Sequence, residues 1–400
     1  MLLIGIILGF AMAFAIGAND VANSMATAVG AKAITPKQAV FIAAVLEFLG
    51  ALLFGSHVTS TIMKGIVKWE AVNDPKILLY GAIATLIATT VWVLVATIWS
   101  MPISTTHSVV GGMMGFGVVA AGWSAVNWIS MLKIVATWVI SPFLGGLISY
   151  IVFRIITKAI LHSDKPLTAT RKYGPVFVGA TIMIILSLFF VKTLNWNLGF
   201  SLLIALVCSF GVGMLSSLWI GKKLKGFDDN DYNGVERVFR KMQVVTSCYV
   251  SFSHGANDVA NAIGPVALII AVVTTGMASQ SVTVPTWVLL LGGVGIAIGV
   301  AVLGKRVMKT IGEDITELNN TRGFSIDFGA ATTVLIASVM GFPVSTTHTV
   351  VGSVTGIGMA RGLEMVNVGV LKSIVYSWLL TVPVAAGFSA LLYTILINVF

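Results

Sequence analysis

The chain alternates between long apolar stretches and short polar ones, and the apolar stretches are too long for the helices of a soluble domain. Residues 77–132 contain no Asp, Glu, Lys or Arg over 56 positions, and residues 259–304 contain none either. A helix needs about 20 apolar residues to cross a bilayer, so each run holds two or more crossings. The short polar–apolar alternation of a membrane β-barrel is absent from the sequence. The pattern therefore predicts an all-α integral membrane bundle.

Positive charge predicts how this bundle is oriented. Segments 154–173 and 222–241 carry five and six Lys or Arg residues, within a net charge of +9. The positive-inside rule makes both loops cytoplasmic. The apolar runs 174–191 and 197–221 between them form a transmembrane hairpin that returns the chain to the same side. Residues 1–16 lack the basic region and cleavage site of a signal peptide, so we expect them in the mature protein.

Composition excludes several classes of protein. Of the 400 residues, 57% are hydrophobic and only 10% are charged, whereas about a quarter of a soluble domain is charged. A nucleic-acid partner would need a basic soluble face, and no soluble domain carries one. Cys208 and Cys248 have no metal-ligand spacing. No cofactor is expected. The expected surroundings are the lipid bilayer of the cell membrane.

Two unrelated strings occur twice, in the same order. "GANDVAN" occupies 17–23 and 255–261, and a proline followed by "STTH" occupies 102–107 and 343–348. The offsets of 238 and 241 residues indicate an internal duplication. The predicted units are a first repeat at 1–160, a connecting hairpin with its cytoplasmic loops at 161–242, and a second repeat at 243–400.

The duplication and the charge pattern together predict an inverted repeat. If each repeat crosses the membrane an odd number of times, the repeats have opposite orientations and both chain ends lie outside. Inverted repeats with interrupted helices are typical of secondary transporters, whose sites lie near the midplane at the repeat interface. We therefore expect about 10–12 transmembrane segments with broken helices.

The GANDVAN string predicts a cation site. In each copy two asparagines lie one helical turn apart with an aspartate beside them. These residues are Asn19, Asp20 and Asn23 in the first copy and Asn257, Asp258 and Asn261 in the second. Gly17 and Gly255 allow the backbone to leave the helix and free carbonyl oxygens. Such oxygens suit a hard cation, sodium for example. Packing through Ala18, Ala22 and Ala26 is the alternative, but an aspartate costs about 2.5–3.5 kcal/mol at mid-membrane.

The STTH string predicts an anion site. Pro102 and Pro343 end one helix and start the next, so the following serine falls near a helix N-cap. Three hydroxyls and the free N–H groups of the helix start then form a neutral cradle for an anion. Its members are Ser104, Thr105, Thr106, Ser345, Thr346 and Thr347. The alternative is that these hydroxyls bond back to their own helix.

Five further ionisable residues lie in or beside the apolar runs. His107 and His348 close the cradle strings, and His254 precedes the second GANDVAN where the first copy has an isoleucine. A single histidine in a bundle is more often a packing residue than a proton carrier. Glu47 and Asp327 are candidates for pairing with polar neighbours or for lining a pathway.

The charge balance of the motif-bearing segments predicts symport. Their only charged residues are Asp20 and Asp258, in segments 1–31, 77–132, 242–304 and 328–360. Two buried carboxylates repel an anion, so cations must enter with it. Anion binding is then conditional on cation binding, which makes the protein a symporter.

The strings "GANDVANSMATAVGAKAIT", "GANDVANAIGPVA", "PISTTH" and "PVSTTH" resemble those of the inorganic phosphate transporter family, PiT, over both halves of the chain. The first copy is similar to the sodium-coupled branch and lacks the His-Asp-Thr version of the bacterial proton-coupled branch. The resemblance implies re-entrant hairpins, a homodimer, and uptake of phosphate with sodium as co-substrate. It implies that the six GANDVAN residues named above bind sodium and the six cradle residues bind phosphate.

Two departures from the family pattern matter. Animal relatives insert a large cytoplasmic domain where this chain has only the segment 222–241, so regulation through that domain is absent here. His254 stands opposite Ile16, so the two half-sites are not equivalent.

Three other functions compete with sodium symport. Proton coupling would use Asp20 or Asp258 as the titrating group, and a cation channel would use them to line a pore. An intramembrane hydrolase using Asp and His is disfavoured because no nucleophile–base spacing is present, so we expect no enzyme. For a phosphate site we expect arsenate to compete and sulfate to be rejected, since sulfate has no proton to offer a carboxylate.

Overall fold

The computed structural model describes residues 1–72, 74–99, 101, 103–224, 227–275, 284–304, 318–362 and 368–399. Its α-helices are α1 Leu2–Gly30, α2 Pro36–Gly65, α3 Pro75–Ile98, α4 Thr105–Ala121, α5 Trp128–Ile156, α6 Pro166–Leu188, α7 Leu198–Lys223, α8 Tyr232–Thr275, α9 Thr286–Leu303, α10 Asn320–Val339, α11 Thr346–Arg361 and α12 Val368–Val399. Within the described residues, nine helices are long and apolar enough to cross a membrane. The prediction of an all-α, multi-pass membrane protein is confirmed.

The basic segments that sequence reasoning assigned to loops are mostly helical. The segment 154–173 contains the end of α5, a π turn at Thr157–Leu161 and the start of α6. Helix α8 begins at Tyr232, so it also takes up half of the basic segment 222–241 and crosses the predicted boundary at residue 242. Charged residues are compatible with helix ends at the membrane surface, where long side chains reach water. The predicted loops are therefore too long.

The two halves of the chain are interlocked. Helix α1 packs on α9, and α2 packs on both α8 and α9. The short helix α4 packs on α12, while its counterpart α11 packs on α5. Helices of each half thus pack on helices of the other, and the polar residues of the GANDVAN strings on α1 and α8 are buried.

Glycines of the GANDVAN strings permit close helix packing. The prediction that they interrupt the helices is wrong. Both α1 and α8 continue through the strings. A Cβ at Gly17 would lie 2.0 Å from the backbone oxygen of Ile296, and one at Gly255 would lie 2.0 Å from that of Glu47. The expected free carbonyls are therefore absent from these two helices, because close approach to α9 and α2 is what requires glycine.

Candidate functional site

Two hairpin tips meet at the centre of the bundle. Helices α3 and α4 are joined at residues 99–104, and α10 and α11 at residues 340–345. Ser104 and Ser345 are the N-caps of α4 and α11, and each Oγ accepts a hydrogen bond of 3.2 Å from the backbone N–H three residues later. The described helices are therefore interrupted where the proline–serine pattern predicted. Pro102 itself lies outside the described residues.

The first asparagine of each GANDVAN string holds the hairpin of its own half. Asn19 Nδ2 donates to Thr97 Oγ1 at 3.0 Å, and Asn257 Nδ2 donates to Ser338 Oγ at 3.0 Å. Thr97 and Ser338 lie near the ends of α3 and α10. Sequence reasoning did not identify them. Their separation of 241 residues equals the offset of the STTH strings, so an alignment of the two repeats would have found them.

The aspartates contact the first threonine of each cradle. Thr105 Oγ1 donates to Asp20 Oδ2 at 2.7 Å, and Thr346 Oγ1 donates to Asp258 Oδ2 at 3.0 Å. A hydroxyl has one proton to donate. The protons that would hold an anion at these threonines are therefore directed to the carboxylates.

The second asparagines connect each string to the cradle of the other half. Asn23 Nδ2 donates to Thr347 Oγ1 at 2.9 Å, and Asn261 Nδ2 donates to Thr106 Oγ1 at 3.1 Å. These threonines donate in turn across the gap between the hairpin tips, to the backbone oxygens of residues 103 and 344. The two predicted sites thus form one network that joins both halves.

All twelve predicted ligands are buried, with side-chain exposure of 5% or less. No Lys or Arg occurs among the buried residues of the described segments. An anion in the cradle would meet hydroxyl and amide dipoles beside two carboxylates, and no Lys or Arg among the buried residues described would balance its charge. This arrangement agrees with the charge argument from the sequence.

Several oxygens at the centre have no partner among the described residues. They are Asp20 Oδ1, Asn257 Oδ1 and Asn261 Oδ1, all completely buried. Burying a polar oxygen without a partner costs about 1–3 kcal/mol. Oxygens of this kind are suitable ligands for a dehydrated hard cation.

His254 connects the carboxylates of the centre. Its Nε2 lies 2.6 Å from Asp258 Oδ2 and 3.9 Å from Asp20 Oδ2, and its Nδ1 lies 3.3 Å from Glu47 Oε2. Ligand atoms of Asp20, His254 and Asp258 all lie within 4.8 Å of one another. Glu47 also accepts a hydrogen bond of 3.0 Å from Ser24, which sequence reasoning did not single out.

Asp327 forms a separate polar cluster. It accepts hydrogen bonds from Thr27, at 2.5 Å, and from Ser247, at 2.6 Å. Both donors are buried. Asp327 therefore pairs with polar helix neighbours, which was one of its two predicted roles.

His107 and His348 contact each other and two tryptophans behind the cradle. The centroids of the two imidazole rings are 4.4 Å apart. His107 lies 3.7 Å from the ring centroid of Trp138 on α5, and His348 lies 3.4 Å from that of Trp378 on α12. These ring contacts join the first turns of α4 and α11, as expected of packing residues. The tryptophans were missed, although they are 240 residues apart and so occupy equivalent positions in the repeats.

A doubly repeated network of carboxylate, amide and hydroxyl groups, buried in a multi-pass helical bundle, defines the class of membrane transport proteins. The chain belongs to the phosphate transporter family, whose sequence profile matches residues 16–389. The predicted family is confirmed. The prediction that the protein is a transporter and not an enzyme is confirmed with it.

Relatives match nearly the whole chain. A protein of Thermococcus kodakarensis named as a phosphate permease is 50% identical over 398 residues, covering 100% of this chain and 98% of that protein. One of Pyrococcus furiosus with the same description is 52% identical, covering 98% of this chain and 95% of its own. A solved structure described as the sodium-dependent phosphate transporter is similar with a TM-score of 0.96 and 55% identity, covering 100% of this chain and 99% of its own.

Proposed function

We propose that this phosphate transporter is a sodium-coupled symporter that carries inorganic phosphate into the cell. In the proposal the cradle of Ser104, Thr105, Thr106, Ser345, Thr346 and Thr347 binds phosphate. Sodium binds at Asn19, Asp20 and Asn23 and at Asn257, Asp258 and Asn261. The similar solved structure is described as sodium-dependent, which supports the choice of sodium.

One observation carries the coupling mechanism: each aspartate accepts the hydrogen bond of a cradle hydroxyl. Thr105 donates to Asp20 and Thr346 donates to Asp258. While those bonds last, neither hydroxyl can donate to an anion. A sodium ion on the carboxylate replaces the hydroxyl as its partner, and the hydroxyl then turns toward phosphate. Sodium binding thus both removes the repulsion of the carboxylate and supplies a donor.

The proposed orientation places the two repeats in opposite senses, with the basic segments inside and both termini outside. The paired contacts support a repeat, because the bonds of Asn19, Asp20 and Asn23 each have a counterpart at Asn257, Asp258 and Asn261. Asn19 with Thr97 corresponds to Asn257 with Ser338. A site of this kind at a repeat interface allows access to alternate from one side of the membrane to the other. We also propose a homodimer, on the family resemblance alone.

The test is uptake of labelled phosphate into proteoliposomes, with sodium and pH gradients imposed separately. We expect saturable uptake that follows an inward sodium gradient at equal pH and that arsenate, but not sulfate, inhibits. Uptake driven equally well by a pH gradient without sodium would replace this mechanism with proton symport. Single-channel currents in place of saturable uptake would indicate a cation channel.

Proton symport is the second candidate, and His254 is the observation that favours it. With its Nε2 at 2.6 Å from Asp258 Oδ2 and its Nδ1 at 3.3 Å from Glu47 Oε2, a protonated His254 would neutralise part of the carboxylate cluster as sodium does. The same two-gradient experiment separates the candidates.

A further inference from the structure

An apolar groove lies on the outside of the bundle, away from the ion site. It has a volume of about 470 Å³ and lies where α5, α11 and α12 meet. Its wall includes Phe143 and Leu147 of α5, Val351 of α11 and Val375 of α12. Phe143 is 69% exposed and Val375 is 44% exposed. The groove is therefore open to the lipid side of the protein.

The groove continues into a basic pocket. Tyr150 lines both cavities, and the second, of about 380 Å³, is lined by Arg154, Lys158 and His162. On α5, Phe143, Leu147, Tyr150 and Arg154 are spaced by three or four residues, so they share one helix face. That face changes from apolar to basic as the helix ends.

The dimensions match one leaflet of a bilayer. At about 1.5 Å of rise per residue, Phe143 and Arg154 are about 16 Å apart along the helix. The hydrocarbon core of a bilayer is about 30 Å thick, so one leaflet is about 15 Å deep. The basic pocket therefore lies at the headgroup level, at the end of the bundle that the charge distribution assigns to the cytoplasm.

The side chains of Arg154 and Lys158 are available to bind a ligand. Within the described segments, no hydrogen bond or ion pair involves the side chain of Arg154 or Lys158. Thr157 Oγ1, between them, is buried and has no partner there. Nearby basic residues differ, since Lys165 pairs with Asp229 at 3.7 Å and Arg171 donates to a backbone oxygen at 2.6 Å. The pocket thus presents unpaired positive charge next to the apolar groove.

We propose that this groove binds an anionic phospholipid of the cytoplasmic leaflet. The lipid phosphate contacts Arg154, Lys158 and His162, and an acyl chain lies along the groove. Basic pockets between transmembrane helices on the cytoplasmic side are typical sites for anionic headgroups. A second copy of this chain is a poorer occupant, because its net charge is +9 and it brings positive charge in place of counter-charge.

The bound lipid would contact the back of the proposed phosphate cradle. Trp378 lines the groove and its ring is stacked on His348 at 3.4 Å between centroids. His348 follows Thr346 and Thr347 on the first turn of α11. An acyl chain in the groove therefore packs against the helix that carries half of the cradle. The lipid site itself depends only on the groove and its charge, so it stands or falls separately from the proposed coupling to sodium.

The test is lipid retention by the purified full-length protein, measured by native mass spectrometry. The protein is titrated with phosphatidylglycerol or with phosphatidylcholine of identical acyl chains. We expect tighter binding of phosphatidylglycerol, weakened about 30-fold in Arg154→Gln/Lys158→Gln, because each basic residue near an anionic lipid contributes about fivefold. Lys37→Gln/Lys222→Gln removes the same charge from exposed positions outside the groove and should leave binding unchanged.

Val375→Trp provides an independent check of the apolar part. Filling the groove should weaken retention of both lipids, with unchanged thermal unfolding as evidence that the variant is folded. Equal affinity for the two lipids, or full retention in Arg154→Gln/Lys158→Gln, would overturn the proposal. So would a dimer that Val375→Trp dissociates without any loss of lipid, since a second copy would then occupy the groove.

Discussion

Replacing Thr105 by valine separates the two roles that the coupling mechanism gives to one hydroxyl. Thr105 Oγ1 donates to Asp20 Oδ2 at 2.7 Å and accepts from Asn261 Nδ2 at 3.3 Å. Valine has the same shape without the hydroxyl, whereas Thr105→Ser keeps the hydroxyl. In the mechanism this hydroxyl donates its hydrogen bond to Asp20 before sodium binds and to phosphate afterwards.

The size of the effect follows from the bond that is lost. A hydrogen bond to a charged partner contributes about 1.5–3 kcal/mol, which is about 10- to 150-fold in a dissociation constant. We therefore expect Thr105→Val to weaken phosphate binding at saturating sodium by this factor and Thr105→Ser to weaken it much less. Sodium binding without phosphate should not weaken, because the hydroxyl competes with sodium for Asp20.

The assay is equilibrium binding of labelled phosphate and labelled sodium to the purified protein. Thr59→Val is the matched control, since Thr59 is buried and its hydroxyl bonds only to the backbone oxygen of Gly55 at 2.6 Å among the described residues. Thr346→Val tests the equivalent contact with Asp258. If Thr105→Val weakens sodium binding as much as phosphate binding, Thr105 is a sodium ligand. The proposed change of its hydrogen-bond acceptor from Asp20 to phosphate is then refuted.

Three further predictions can be tested with the same preparation. Asp20→Asn and Asp258→Asn should each abolish sodium-driven uptake while the protein still inserts. Each variant removes the attraction between carboxylate and sodium, and a charge pair 4 Å apart contributes about 4 kcal/mol at an effective dielectric constant of 20. Near-normal uptake in both variants would contradict a cation site. In a variant without Cys208 and Cys248, a cysteine at position 165 should be labelled only from the cytoplasmic side, and one at position 398 only from outside. Labelling of both positions from the same side would exclude the inverted repeat. At least two sodium ions should accompany each phosphate, because moving a dianion inward against 100 mV costs about 4.6 kcal/mol, and a measured flux ratio near one would contradict this.

The fold was predictable where a local signal decides the structure. Long apolar runs specify membrane helices, and the serines of the STTH strings occupy the predicted N-caps because a cap needs only its own side chain and the next turn. The unwinding expected at Gly17 and Gly255 was wrong for a tertiary reason. Whether a glycine frees the backbone or admits a neighbouring helix depends here on α9 and α2. For both copies of the motif, the contacted helix lies more than 200 residues away along the chain.

The candidate site was predictable in its members but not in its connections. Repetition identified the residues, yet nothing in the strings shows that Asn23 contacts Thr347 of the other half. Ser24 and the two tryptophans behind the cradle were missed because a serine or an aromatic residue in a membrane helix is common on its own. The shared offset of 240 residues marks Trp138 and Trp378 as equivalent, but Ser24 has an alanine as its counterpart and carries no such signal.

The inequivalence of the two half-sites gives an order to the proposed binding events. Asp258 has both oxygens engaged, Oδ2 by Thr346 and His254 and Oδ1 by Asn261 at 3.4 Å. Asp20 Oδ1 has no partner among the described residues, because Asn23, the counterpart of Asn261, donates there to Thr346 and Thr347 instead. A cation can first contact Asp20 at Oδ1 and then replace Thr105 at Oδ2. At Asp258 it must begin by displacing Asn261 from Oδ1, or His254 and Thr346 from Oδ2. We therefore expect the first sodium ion at Asp20, and we expect Asp20→Asn to remove the tighter of two sodium-binding steps while Asp258→Asn removes the weaker one.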